Sequence, residues 1–233
     1  KISRYMACTS LALGAANLAG AQDSAILDHM HDHYDAVVRI QSAVIAGSLE
    51  GTRESARWLA EHDAPAGMPA QWAEHVDAMR LAARAALDAE DLTAAANATS
   101  QLGLACGGCH VASNVTVEFD DVKRPSDKDR VSAHMERHQW AADRMWEGLI
   151  GPATVSWRQG ANLLFESPMQ AEELGAESGD EDVVHMSRRI HQLAGNATVV
   201  SDPAEKAEIY GEFLANCARS EERRVGKECR SRW

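Results

Sequence analysis

Basic charge is what this chain has too little of: 23 Lys and Arg stand against 35 Asp and Glu, a formal net charge of −12. Nucleic acid and anionic membrane surfaces both demand a basic footprint, so neither is an expected partner. Aromatic residues make up only 5% of the sequence and proline occurs six times. With alanine plentiful, that shortage of strand-favouring and helix-breaking residues leans toward helix. Beyond the N-terminal segment no apolar stretch approaches the length needed to cross a bilayer, so no membrane span is expected. The 233 residues suffice for one large domain or two small ones.

Both ends depart from the rest. Lys1 and Arg4 precede a mildly apolar run from Met6 to Leu18, and Ala19-Gly20-Ala21 fits a small-x-small cleavage site. Residues 1–21 therefore read as part of a secretory signal peptide, which implies an exported, periplasmic protein; a short buried helix is the other reading. Cys8 lies at the start of the apolar run rather than after it, which argues against a lipid-anchored cysteine. Residues 219–233 hold six Arg or Lys and three Glu, a net of +3 that leaves −15 on the remainder. That abrupt shift, without a helical apolar period, reads as a non-native tail, the other reading being a genuine basic one.

Between these ends the sequence repeats itself. His29-Met30-His31-Asp32-His33 aligns with His134-Met135-Glu136-Arg137-His138, an offset that also matches Ala36 with Ala141, Arg39 with Arg144 and Ile45 with Ile150. The same offset pairs Arg53 with Arg158, Ala56 with Ala161 and Leu59 with Leu164. A helical unit is thus written twice, over residues 22–113 and 130–218, with residues 114–129 as the linker. In the first unit four helices are expected, at about 22–46, 50–62, 69–89 and 91–110. Ile26, Met30, Val37, Ile40 and Val44 form a stripe on the first helix, with His33 in the vacant place, and the steps alternate between three and four. That is the seam of an antiparallel bundle. Val131, Met135, His138, Ala142, Met145 and Leu149 repeat it. Asp202-Pro203-Ala204-Glu205 is a strong start signal for the last helix, whereas the acidic, glycine-containing stretch 172–182 reads as a mobile loop. The fold class is all-α, as two tandem up-and-down four-helix bundles.

The chemistry is carried by Cys106-Gly107-Gly108-Cys109-His110. Cysteines three apart share one face of a helix and can add to the two vinyl groups of a haem. The adjacent imidazole can then reach the iron as the proximal ligand, and C-x-x-C-H is the signature of covalent haem attachment. A thioredoxin-like redox pair needs a strand–helix context that this chain lacks. A zinc site needs further ligands nearby, and a disulfide is disfavoured on a continuous helix.

The motif lies at the end of a four-helix unit, and there residues 22–112 resemble the class II c-type cytochromes, the cytochrome c prime group. That resemblance implies a four-helix bundle with haem c held by Cys106, Cys109 and His110. Residues 130–218 resemble the same group up to Cys217, after which Ser220 and Glu221 stand where the second Cys and the His are expected. The reading is one complete haem site here and two haems in the intact protein. The resemblance puts the distal group near the start of the first helix: Met30, with His33 the alternative, and Met135 or His138 in the second unit. Met or His on a seam is also common core filler, and His29, His31 and His33 could form a surface metal site. The expected role is electron transfer with a basic redox partner, not enzymatic catalysis. A five-coordinate haem binding nitric oxide or carbon monoxide is the alternative.

Overall fold

The computed structural model describes residues 12–64, 68–126, 131–166, 171–178 and 181–230. Among them are nine α-helices, one 3₁₀ turn and no strand: α1 (Ala12–Ile45), α2 (Leu49–Glu61), α3 (Ala73–Leu87), α4 (Leu92–Ala112), α5 (Val131–Ile150), α6 (Thr154–Phe165), α7 (Ala171–Ser178), α8 (Glu181–Val199) and α9 (Pro203–Arg230). The regular structure of the described residues is all helical, as the composition implies. Residues 1–11 of the expected leader, 127–129 of the expected linker and 231–233 of the tail lie outside the described residues.

Local signals account for the helix starts. The Ser48 side chain accepts from the Gly51 N–H to open α2, and Asp91 accepts from the Ala94 N–H to open α4. Asp202 accepts from the N–H groups of Ala204 and Glu205, so the expected cap of α9 is in place. Pro69 caps a 3₁₀ turn, Ala70–Trp72, that leads into α3, so the α-helix starts a few residues later than its proline suggests.

Three segments differ from expectation: α1 already begins at Ala12, inside the expected leader, and runs unbroken through residues 19–21 where the first helix was expected only from about residue 22. The acidic stretch read as a loop contains α7, because Ala171 and Leu174, three apart, are both buried and give a short helix one apolar edge. The basic tail continues α9 as far as Arg230. Its Arg, Glu and Lys are good helix formers, and a helix already nucleated and packed upstream propagates through them without an apolar stripe.

Helices α1 to α4 pack in chain order and α4 returns to α1; α5, α6, α8 and α9 do the same, with α7 lying on α8. The units are not separate beads. Helix α4 runs along both α9 and α5, and one apolar cluster extends from Ile40, Leu59 and Leu102 to Trp146, Trp157, Leu164 and Phe213. Polar groups tie the same seam: Gln41 donates to the Tyr210 hydroxyl at 2.7 Å, and that hydroxyl donates to the Ala142 carbonyl at 3.1 Å. Small residues make the approach possible. A Cβ on Gly211 of α9 would stand 2.7 Å from Asn97 Oδ1 and 2.9 Å from Ser100 Oγ of α4. The connection after α4 is pinned to α5, where the Trp140 indole donates to the Val122 carbonyl at 3.0 Å.

The adjacent glycines of the cysteine motif make opposite predictions. A Cβ on Gly107 would collide with the Leu149 backbone carbonyl, whereas one on Gly108 meets only His75 Nδ1, at 4.0 Å. Gly107→Ala should therefore destabilise by about 1–3 kcal/mol, the usual range for overpacking a close contact. Gly108→Ala should be neutral or stabilising by up to about 1 kcal/mol, because alanine is the better helix former. Chemical denaturation of the two variants measures the difference.

Candidate functional site

Helix α4 is continuous through the cysteine motif, and neither Cys106 nor Cys109 is in a disulfide. Together with His110 and Ala105 they form one wall of a groove. The opposite walls are Met30, His33, Tyr34 and Val37 of α1 and His75, Val76 and Met79 of α3, with Ile150 closing one end. The groove thus brings together every residue of the complete site read from the sequence, both distal candidates included.

His110 is held from the other unit. Its Nδ1 lies 2.7 Å from the carbonyl oxygen of Ile150, at the end of α5. A carbonyl only accepts, so Nδ1 carries the proton and Nε2 keeps its lone pair. This is the arrangement that fixes the tautomer and orientation of a metal-binding imidazole. On the facing wall His33 Nε2 is buried and has no hydrogen-bond partner. A buried, partnerless nitrogen is costly unless something else satisfies it. Burial pushes the Cys106 thiol up to about 12, with neighbouring Cys109 adding to the effect. Cys106 is therefore a protonated thiol at neutral pH, unlike the low-pKa thiolates of thioredoxin-type pairs.

The second unit repeats the arrangement in part. Met135, His138 and Gln139 of α5 face Cys217, Ser220 and Glu221 of α9 across an open cleft. Ser42, Ile45 and Ala46 of α1 complete its wall. Ile45 is the repeat partner of Ile150, so each unit lends the end of its first helix to the other unit's site. His138 Nε2, like His33 Nε2, is buried without a partner, whereas Met135 is 51% exposed and sits at the mouth of the cleft.

Sequence reasoning missed three histidines near the distal wall. His62, at the C-cap of α2, places its Nε2 3.1 Å from His29 Nδ1 and stacks on Trp58. His75 of α3 lines the groove itself. His191 of α8 is near enough to His134 and His138 to bear on their protonation. No motif announces them, because they approach α1 and α5 only through tertiary packing. His29 and His134 are buried rather than groove-lining.

The histidines make a pH prediction. Burial first, then His29, His62 and Arg80, holds His33 down to about 3. Burial and His191 hold His134 down to about 4, and burial with His134, His191 and Arg137 puts His138 well below its ordinary value. The fold keeps these imidazoles neutral, while the unfolded chain takes up protons near pH 6.5. Their contribution to stability is therefore whole above about pH 7 and is lost as pH falls from about 6.5 toward 4. Burial raises the carboxyls of Asp143 and Glu147, which act with the opposite sign in the carboxylate range. The interval from about pH 6.5 to 5.5 thus reports the histidines. Thermal midpoints should be flat above that interval and fall through it, and the fall should be shallower with His33→Gln and His138→Gln together.

The chain matches no protein-family model, no curated protein and no solved structure.

Proposed function

We propose that this protein is an exported c-type cytochrome that transfers electrons through a haem held covalently by Cys106 and Cys109, with His110 as the proximal ligand. It is read as two tandem four-helix bundles of the class II type, the second with an incomplete attachment site. The single observation that carries the reading is the groove: two free thiols, an imidazole with its Nε2 lone pair left available and an opposing imidazole whose Nε2 has no hydrogen-bond partner line one mostly apolar space. Of the two distal candidates we propose His33 over Met30, because its buried Nε2 needs a partner and a thioether does not.

When bound, the haem supplies a one-electron iron couple. The chain's own residues do the rest. The Ile150 carbonyl orients His110 and raises its basicity, which stabilises the higher charge on its partner. Val37, Val76 and Met79 line the groove and would shield a bound haem from water, which together with the residues holding it would tune its potential. The net charge of −12 favours a basic redox partner, docked transiently and weakened by salt. Among the described residues no helix is long and apolar enough to cross a membrane.

Expressed with a c-type maturation system, the protein should retain haem through denaturing electrophoresis and show a low-spin spectrum. His33→Ala should convert that spectrum to high-spin, the state suited to binding nitric oxide or carbon monoxide, while covalent haem is unchanged. Loss of haem on denaturation would sink the assignment; a high-spin spectrum in the unmodified chain would transfer it to the gas-binding reading.

A further inference from the structure

Behind the distal wall of the groove three imidazoles converge. His29 and His33 come from successive turns of α1, and His62 comes from the end of α2. One ring nitrogen from each lies within 4.8 Å of those of the other two, and among the described residues no other group of three or more His, Cys, Asp or Glu gathers so closely. We propose that His29, His33 and His62 form a binding site for a divalent transition-metal ion of the zinc or copper type, separate from the cysteine motif.

The geometry suits such an ion. A histidine pair at i and i+4 presents both rings on one helix face, and a third imidazole from another element completes a three-nitrogen set with a position left for solvent or an exogenous ligand. Metal–nitrogen bonds of about 2.0–2.1 Å need ligand nitrogens somewhat closer than the widest separation here, a contraction that side-chain rotation supplies. Soft thiolates and carboxylates are missing from the set, so imidazole-preferring ions are favoured over calcium or magnesium. The surroundings hold the ligands in place. Trp58 stacks on His62 at 4.0 Å between ring centroids and meets His33 edge-on at 5.6 Å. Arg80 donates to the His62 carbonyl at 2.6 Å and fixes the end of α2, at the expense of a nearby positive charge.

The second unit lacks the full set. His134 and His138 repeat the i and i+4 pair with ring centroids 4.2 Å apart, but His191 does not close to the same distance. One ion per chain is therefore expected. Because His33 also faces the groove, an ion bound here would compete with a haem iron for that one imidazole. The metal site itself does not depend on the haem reading, and the test uses the chain produced without haem, in which no iron engages His33.

The test is equilibrium dialysis of the untagged full chain against Zn²⁺ alone, with metal content measured by atomic absorption. The unmodified chain should take one Zn²⁺. His62→Ala should weaken binding at least tenfold with helicity by circular dichroism unchanged, since the α2 cap is made by the backbone of residue 62. His62→Gln serves if the alanine variant loses helicity, and His191→Ala should bind as the unmodified chain does. No stoichiometric Zn²⁺ in the unmodified chain, affinity in both His62 variants equal to that of the unmodified chain, or loss of binding in His191→Ala would overturn the proposal.

Discussion

Replacing Cys106 and Cys109 together by alanine should reduce covalent haem from one per chain to none, as read by haem staining after denaturing electrophoresis. Each single substitution should leave haem attached through the remaining thioether. The expectation rests on where the two thiols lie. They occupy successive turns of α4, on the wall that also presents His110. Neither is committed to a disulfide, and Cys109 Sγ has only a weak 3.8 Å contact with the Ser113 hydroxyl. The double variant should still fold. Cys106 and Cys109 are only partly buried, while the core of the first unit is made by residues such as Ile40, Leu59 and Leu102. Its helicity by circular dichroism should match that of the apo chain. A chain that held haem through denaturation without either thiol would remove the basis of the proposed function.

The parts of this fold that could be read from the sequence are those written locally. Ser48, Asp91 and Asp202 announce α2, α4 and α9 because a cap is a contact between residues two or three apart. The stripe on α1 is likewise local: Val37, Ile40 and Val44 are core, while Met30 and His33 farther up the same seam line the groove. The repeat at constant offset leads to an expectation of two units but says nothing of how the helices of one half meet those of the other. That join depends on a small-residue face of α4, with Asn97, Ser100, Gly103 and Gly107, fitting against α5 and α9. Small residues leave no hydrophobic period to detect, so the face carries no signal until its partners are placed. The same reasoning explains His62 and Ile150. One is a lone histidine at a helix end, the other an ordinary core residue whose carbonyl, not its side chain, meets His110. Helix α7 was missed for a different reason: two buried apolar residues in an acidic stretch are too few for a periodicity argument, and tertiary packing on α8 decides the matter.

The reciprocal use of Ile45 and Ile150 gives the second unit an expected result as large as the first. Ser220→Cys with Glu221→His should raise haem from one per chain to two, measured as the pyridine haemochrome per mole of protein. The two changes write Cys-x-x-Cys-His from Cys217 onward on α9, which is helical through this stretch. Cys217, Ser220 and Glu221 already line the cleft that His138 enters from the other side with a buried, partnerless Nε2. Burial pushes the Cys217 thiol up to about 12, the same condition as Cys106. An imidazole at position 221 would lie beside the end of α1, where Ile45 and Ala46 form the wall, as His110 lies beside Ile150 at the end of α5. The reciprocal carbonyl for its Nδ1 is therefore that of Ile45. In the unmodified chain a single thioether at Cys217 would leave the iron without a proximal imidazole, so the second cleft should retain no haem through denaturation. Two haems in the unmodified chain, or one in the variant despite full maturation, would show that the second unit is not an incomplete copy of the first site.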